Sequence, residues 1–159
     1  MAKVILICGK ICSGKSTYAK RLRTENKAVQ LSIDEIMLPM FGLYVGDKHD
    51  EYVEKTKKYL FDKSIEIIEN GIDVIFELGL WTKAERRYAK EFYSSRGIEH
   101  EIHYISISDA TWKERLDKRN HAIAAGEALD YPVDDNLAAK FGAIFEKPDK
   151  DEIDVWVEG

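Results

Sequence analysis

Several features are scarce in this chain, and each scarcity excludes something. Across 159 residues no apolar run approaches the ~20 residues that a membrane-crossing helix needs, so no span is expected. There are two cysteines, Cys8 and Cys12, too few for a disulfide framework. Their C-x-x-x-C spacing is neither a metal nor a redox motif, so two free thiols in a reducing cytoplasm are expected. Prolines number three, Pro39, Pro132 and Pro148, and each is expected in a loop or turn. Basic excess is also missing: 24 Lys and Arg against 29 Asp and Glu leave a net charge of -5, which disfavours a long nucleic-acid partner while allowing a local basic patch. The four histidines, His49, His100, His103 and His121, fall in no zinc-ligand spacing and are read as surface or core residues. No repeat, low-complexity stretch or Gly/Ser linker interrupts the chain. A strand begins within three residues of the N-terminus, leaving no room for a signal peptide. Hydrophobic residues at 45% and charged ones at 33% suit a globular fold. One cytoplasmic domain over residues 1–159, monomeric or dimeric, is the expectation.

What is present is a complete phosphate-loop motif. Gly9-Lys10-Ile11-Cys12-Ser13-Gly14-Lys15-Ser16 fills G-x-x-x-x-G-K-[ST]. The apolar, β-branched run Val4-Ile5-Leu6-Ile7-Cys8 precedes it, and a helical pattern beginning Thr17-Tyr18-Ala19 follows. Strand, glycine loop and helix form the context this motif requires. Glycines let successive backbone N–H groups face phosphate oxygens, and the helix N-terminus adds partial positive charge. Residues Gly9 through Thr17 are therefore expected to hold ATP, with Lys15 at the β- and γ-phosphates and the Ser16 hydroxyl on Mg²⁺.

The remaining pattern alternates strand and helix, which predicts an α/β fold: a five-stranded parallel sheet with helices on both faces, in three layers. Strands are predicted at about 3–8, 28–32, 73–78, 101–107 and 153–157. Helices are predicted at about 15–25, 50–70, 82–96, 109–119 and 133–145, with Gly71 and Gly97 as stops and Thr82 and Asp109 as caps. Residues 40–49 read as a loop rich in glycine and aromatic residues. In such a sheet the ligand binds at the carboxyl ends of strands one to three.

Three segments carry a resemblance to a family: the phosphate loop, Leu31-Ser32-Ile33-Asp34-Glu35 after strand two, and Trp112-Lys113-Glu114-Arg115-Leu116-Asp117-Lys118-Arg119-Asn120. Together with the strand order, which spans nearly the whole chain, they resemble the small P-loop kinases of the nucleoside-kinase-like group. The nearest branch is that of zeta toxins, chloramphenicol phosphotransferase and 5′-hydroxyl polynucleotide kinases. The resemblance implies a P-loop kinase fold with a short lid at about 115–135 (Gly126 is a candidate hinge). It implies transfer of the γ-phosphate of ATP to a hydroxyl group of a small molecule. A 5′-hydroxyl nucleic-acid kinase and a nucleotide-dependent ATPase or switch remain alternatives.

Individual residues keep two readings each. Asp34 suits a general base, or a Mg²⁺ contact, beside the phosphate loop; it equally suits a helix N-cap. Glu35 suits either substrate binding or a first-turn acid favoured by the helix dipole. Glu77 interrupts the apolar run Val74-Ile75-Phe76-Glu77-Leu78, where a carboxylate needs a metal or a basic partner. It stands where the family often has Asp, as the acid that orders Mg²⁺, and the competing reading is an ion pair at the sheet edge. Arg86 matches an acceptor-side arginine of the same branch, or else lies on a solvated helix face with Glu85 and Lys83 nearby, and Arg87 is read as structural. Trp81 is either a stacking ring or a core plug. Arg115 and Arg119, four apart, share a helix face. The resemblance implies that Arg115 packs on the nucleotide base and Arg119 meets the phosphates; ordinary surface charge is the alternative. The acceptor is expected between residues 39 and 58, near Met40, Phe41, Tyr44, His49 and Tyr52. That region lacks the paired arginines a strongly anionic acceptor would want.

Overall fold

The computed structural model describes residues 2–42, 46–127 and 135–159. Five strands form one sheet, β1 (Val4–Cys8), β2 (Val29–Ser32), β3 (Val74–Gly79), β4 (His100–Ser106) and β5 (Val155–Glu158). Their spatial order is β2-β3-β1-β4-β5, and every pairing is parallel. Parallel strands need crossovers on the sheet faces. The described helices supply them: α1 (Lys15–Asn26), α2 (Ile33–Phe41), α3 (His49–Glu69), α4 (Lys83–Ser94), α5 (Asp109–Ala124) and α6 (Asp135–Ile144).

The centre of the sheet is dry on both faces, which is why β1 reads as an unbroken apolar run. Alternate residues serve opposite sides. Val4, Leu6 and Cys8 join Phe76, Ile102 and Tyr104 in the larger core, under Leu60 and Phe61 of α3 and Ala89 and Phe92 of α4. Ile5 and Ile7 join Ile75 and Ile105 in the smaller one, under Ala19 and Leu22 of α1. At the carboxyl end of the β1–β3 ladder Ile7 faces Glu77 but Cys8 faces Gly79, so Leu78 is an extra residue in β3. Such a bulge bends the strand end and re-aims neighbouring side chains. Gly79 is the required residue there: at φ 84 any Cβ would stand 2.9 Å from the Trp81 Nε1.

Several sequence expectations need correction. Residues 33–41 form α2 and not a loop entry, and Pro39 lies inside that helix. Its extended N-cap residue is Ser32, so Asp34 occupies the first turn and is not the cap. Likewise α5 is capped by Ser108, whose side chain accepts from the Thr111 amide, and Asp109 is the first helical residue. The helix continues to Ala124, five residues past Arg119, because nothing between Asn120 and Ala124 breaks it. Thr82 does cap α4, accepting from the Glu85 amide. Tyr44, Pro132, Val133 and the lid positions 128–134 lie outside the described residues. No described helix is long and apolar enough to cross a membrane.

Candidate functional site

The phosphate loop leaves β1 at Gly9, whose amide donates to the Gly79 carbonyl at 3.0 Å and ties the loop to the end of β3. A Cβ on Gly9 would lie 2.7 Å from Ser13 Oγ and 3.1 Å from the Ile105 carbonyl, so the loop turns here only without a side chain. Cys12 and Gly14 adopt left-handed backbone at φ 61 and 100, the kind of conformation that gathers amides into an anion-binding concavity. Both thiols are free, Cys8 buried and Cys12 half-buried; burial pushes the Cys8 thiol up to about 11. Ser13 Oγ is buried with no hydrogen-bond partner among the described residues, a donor the loop itself does not use.

Lys15 opens α1 and folds back over the loop, its Nζ donating to the carbonyls of Gly9 at 3.0 Å and Lys10 at 2.7 Å. Burial lowers its pKa below the ordinary lysine value, and the carboxylates of Glu77 and Asp34 act in the opposite direction. Of the two acids Glu77 acts on Lys15 more strongly than Asp34. Asp34 is exposed on the first turn of α2, and Glu35, a further 100° round the helix, is exposed as well.

Glu77 ends the apolar part of β3. Its Oε1 accepts from Ser16 Oγ at 2.8 Å, and its Oε2 from Gln30 Nε2 of β2 at 3.3 Å. Ser16 and Glu77 thus present two hard oxygen donors at the rim of the loop, beside Lys15. No described cluster of three His, Cys, Asp or Glu side chains stands ready to hold an ion alone. That donor set fits Mg²⁺, which takes most of its shell from phosphate and water and needs few protein ligands.

Helix α5 closes the other side. Trp112, Arg115 and Arg119 lie at intervals of three and four on one face, and each reaches a different loop residue. Trp112 Nε1 donates to the Ile11 carbonyl at 2.7 Å, Arg115 Nη1 to the Ser13 carbonyl at 3.1 Å, and Arg119 Nη1 to Cys12 Sγ at 3.3 Å. Lys10 Nζ sits 4.7 Å above the Trp112 ring and 3.4 Å from Asp109 Oδ1. Both arginines reach the loop and are half-buried there. Trp112 was missed as a site residue: an indole beside charged helix residues looks like a core plug until its hydrogen bond is seen.

Arg86 is placed differently from either expectation. It is fully buried, with Nε 3.1 Å from Glu152 Oε1 and Nη1 donating to the Leu80 carbonyl at 2.9 Å. The same carbonyl accepts from Cys8 Sγ at 3.3 Å. A guanidinium with no solvent-exposed surface is neither on a solvated face nor open to an acceptor. It instead clamps the β3–α4 turn, where Leu80 holds a left-handed φ of 50, to the Lys150–Glu152 turn. Trp81 packs edge-on against Phe141 of α6 at 4.9 Å, the core-plug alternative.

A family model described as an AAA domain matches residues 4–142. No curated protein matches the sequence. Among solved structures, Kti12 of Chaetomium thermophilum in complex with ADP-AlF3 has a TM-score of 0.72 at 12% identity, over 98% of this chain and 88% of that one. The APS kinase CysC of Mycobacterium tuberculosis, in complex with AMPPNP and APS, scores 0.68 at 16% identity over 99% and 88%. A gluconokinase from Sinorhizobium meliloti scores 0.63 at 14% identity over 98% and 82%. These likenesses show the P-loop kinase fold.

Proposed function

The chain belongs to the AAA domain family, and on that premise we propose that it is an ATP-dependent phosphotransferase acting on a hydroxyl of a small molecule. What supports this reading is the gathering at one loop of Lys15, the Ser16–Glu77 pair and the Arg115 and Arg119 guanidinium groups, with Asp34 on the first turn of α2 directly after β2. A mere triphosphate binder needs the loop, Lys15 and one metal-side acid; a second carboxylate on the acceptor side serves transfer.

Gly9 through Thr17 hold the phosphates, and Lys15 exchanges the Gly9 and Lys10 carbonyls for β- and γ-phosphate oxygens. Ser16 and Glu77 would hold Mg²⁺ on this reading, and Asp34 serves as an ancillary Mg²⁺ contact or as the base. When bound, the ion would supply neutralisation of the charge that develops on the phosphates. Asp34 accepts the proton of the attacking hydroxyl. Arg119, released from Cys12, stabilises the charge that spreads over the transferring group. Arg115 contributes to nucleotide binding from the same helix face. Glu35, on the neighbouring face of α2, remains a candidate contact to the acceptor.

Asp34→Asn tests the proposal directly. It keeps the side-chain shape but removes the base, so transfer should fall by about 10²–10⁴-fold while ATP affinity, measured by titration, changes little. Undiminished transfer to an acceptor would remove Asp34 from the chemistry.

A further inference from the structure

Helix α1 presents Lys15, Ser16 and Thr17 on its first turn, yet its apolar hold on the sheet is slight. Of its 12 residues only Ala19 and Leu22 are buried, one and two turns beyond Lys15. The placing of the first turn therefore depends on what else ties it down. Tyr18, the next residue of that turn, is held at both ends. Its amide donates to the carbonyl of Gly14 in the phosphate loop at 3.0 Å. Its hydroxyl lies 2.7 Å from His103 Nδ1 of β4.

The imidazole is held in turn. His103 Nε2 lies 2.8 Å from Glu101 Oε2, and Glu101 Oε1 accepts from Lys3 Nζ at 2.9 Å. Glu101, His103 and Ile105 alternate onto the sheet face that α1 covers. His103 is buried, at 5% exposed, while Tyr18, Glu101 and Lys3 are half-buried. The direction of each bond follows from the two ends of this relay. Bonds from His103 and Lys3 hold the Glu101 carboxyl below the usual 4.5, so it is a carboxylate that only accepts. Burial raises the Tyr18 hydroxyl above the ordinary phenol value, so it keeps its proton. His103 thus donates through Nε2 and accepts at Nδ1, the tautomer that gives each ring nitrogen its partner.

Resting on the reading of the loop as a triphosphate site, we propose that Tyr18 and His103 are positioning residues for nucleotide binding. The relay pins the first turn of α1 to β4, and with it the angle at which Lys15 and Ser16 meet the phosphates. Both residues act through α1 and not on the nucleotide. Without the relay the turn spends part of its time misaligned, and the apparent affinity falls by the fraction that stays aligned.

The test is calorimetric titration of Mg·AMPPNP into wild type, Tyr18→Phe, His103→Leu and the double variant, with a thermal melt of each ligand-free protein. Tyr18→Phe removes the hydroxyl and keeps the ring. It should raise Kd about five-fold, the equivalent of one net hydrogen bond. His103→Leu should raise Kd at least as much. The double variant should go no further than His103→Leu alone, because both changes break the same bond. A merely structural relay lowers the melting temperature but leaves Kd unchanged at room temperature, well below the melt; that result overturns the proposal, as do additive effects on Kd. Should His103→Leu fail to fold, Tyr18→Phe decides alone. Wild type that binds no Mg·AMPPNP overturns the triphosphate reading, and the positioning role falls with it. Wild-type binding matched by Tyr18→Phe overturns the positioning role only.

Discussion

Lys15 works against its own surroundings. Burial disfavours its charged form, and the nearby Glu77 carboxylate and the bonds to the Gly9 and Lys10 carbonyls offset this in part. A group with a lowered pKa begins to lose its proton at a lower pH than free lysine, and a bound triphosphate favours the charged form. ATP binding should therefore take up protons on the alkaline side, visible as a dependence of the calorimetric enthalpy on buffer ionisation enthalpy. Binding that stays proton-neutral up to pH ~10 would contradict the pairing of Lys15 with phosphate. Lys15→Ala should abolish productive triphosphate binding while the fold persists, because the removed amine bonds only loop carbonyls. Residues such as these were legible because the motif is local: eight consecutive positions declare the loop, and the preceding strand confirms it. Arg86 was not legible, since its partner Glu152 lies 66 residues away and no local pattern announces a buried pair.

At the scale of elements, α5 is a comb with three teeth in the phosphate loop. Arg119→Ala should lower turnover by roughly 10²-fold or more with a smaller effect on ATP affinity, since its charge matters most as the transition state forms. Arg115→Ala should instead weaken nucleotide binding. Trp112→Phe keeps a ring under Lys10 but loses the bond to the Ile11 carbonyl. At the ~1 kcal/mol of a net hydrogen bond, ATP affinity should fall about five-fold. Small, equal effects from all three would reduce the comb to incidental packing. The spacing of Arg115 and Arg119 made this face readable in advance. The course of α2 was less so: a proline and a glycine-rich stretch argue for a loop, yet Ile33, Ile36 and Met37 earn a helix by packing inward. Tertiary burial overrode the local signal.

On the scale of the whole molecule, the parallel sheet and its two-faced core follow from unbroken apolar strands alternating with helices, and both were readable. The spatial order of the strands was not deducible from pattern alone. The Arg86–Glu152 clasp belongs to this scale, because it joins the end of the sheet's middle to its last turn. Burial alone would raise the Glu152 carboxyl, but bonds from the Asp149 amide and Arg86 outweigh it and hold it below the usual value of 4.5. Stability from this group is present above that value and is lost as pH falls through the depressed one. Arg86→Met should cost about 3 kcal/mol in denaturant unfolding, and Glu152→Gln should flatten the acid limb below pH ~4.5. Unchanged unfolding in Arg86→Met would show that the clasp adds nothing to stability.

The position of β1 has a consequence for how the chain is made. It is synthesised before both of its sheet neighbours, β3 and β4, and the register partner of Val4 on β3 lies at Val74, some 70 residues downstream. At ~5–20 residues per second on the ribosome, this apolar strand waits several seconds after emergence before either flank exists. For that interval Val4-Ile5-Leu6-Ile7-Cys8 is an unpaired, uncharged β-segment of the kind that chaperones shield. The residues that anchor the phosphate loop are thus exposed well before they are secured.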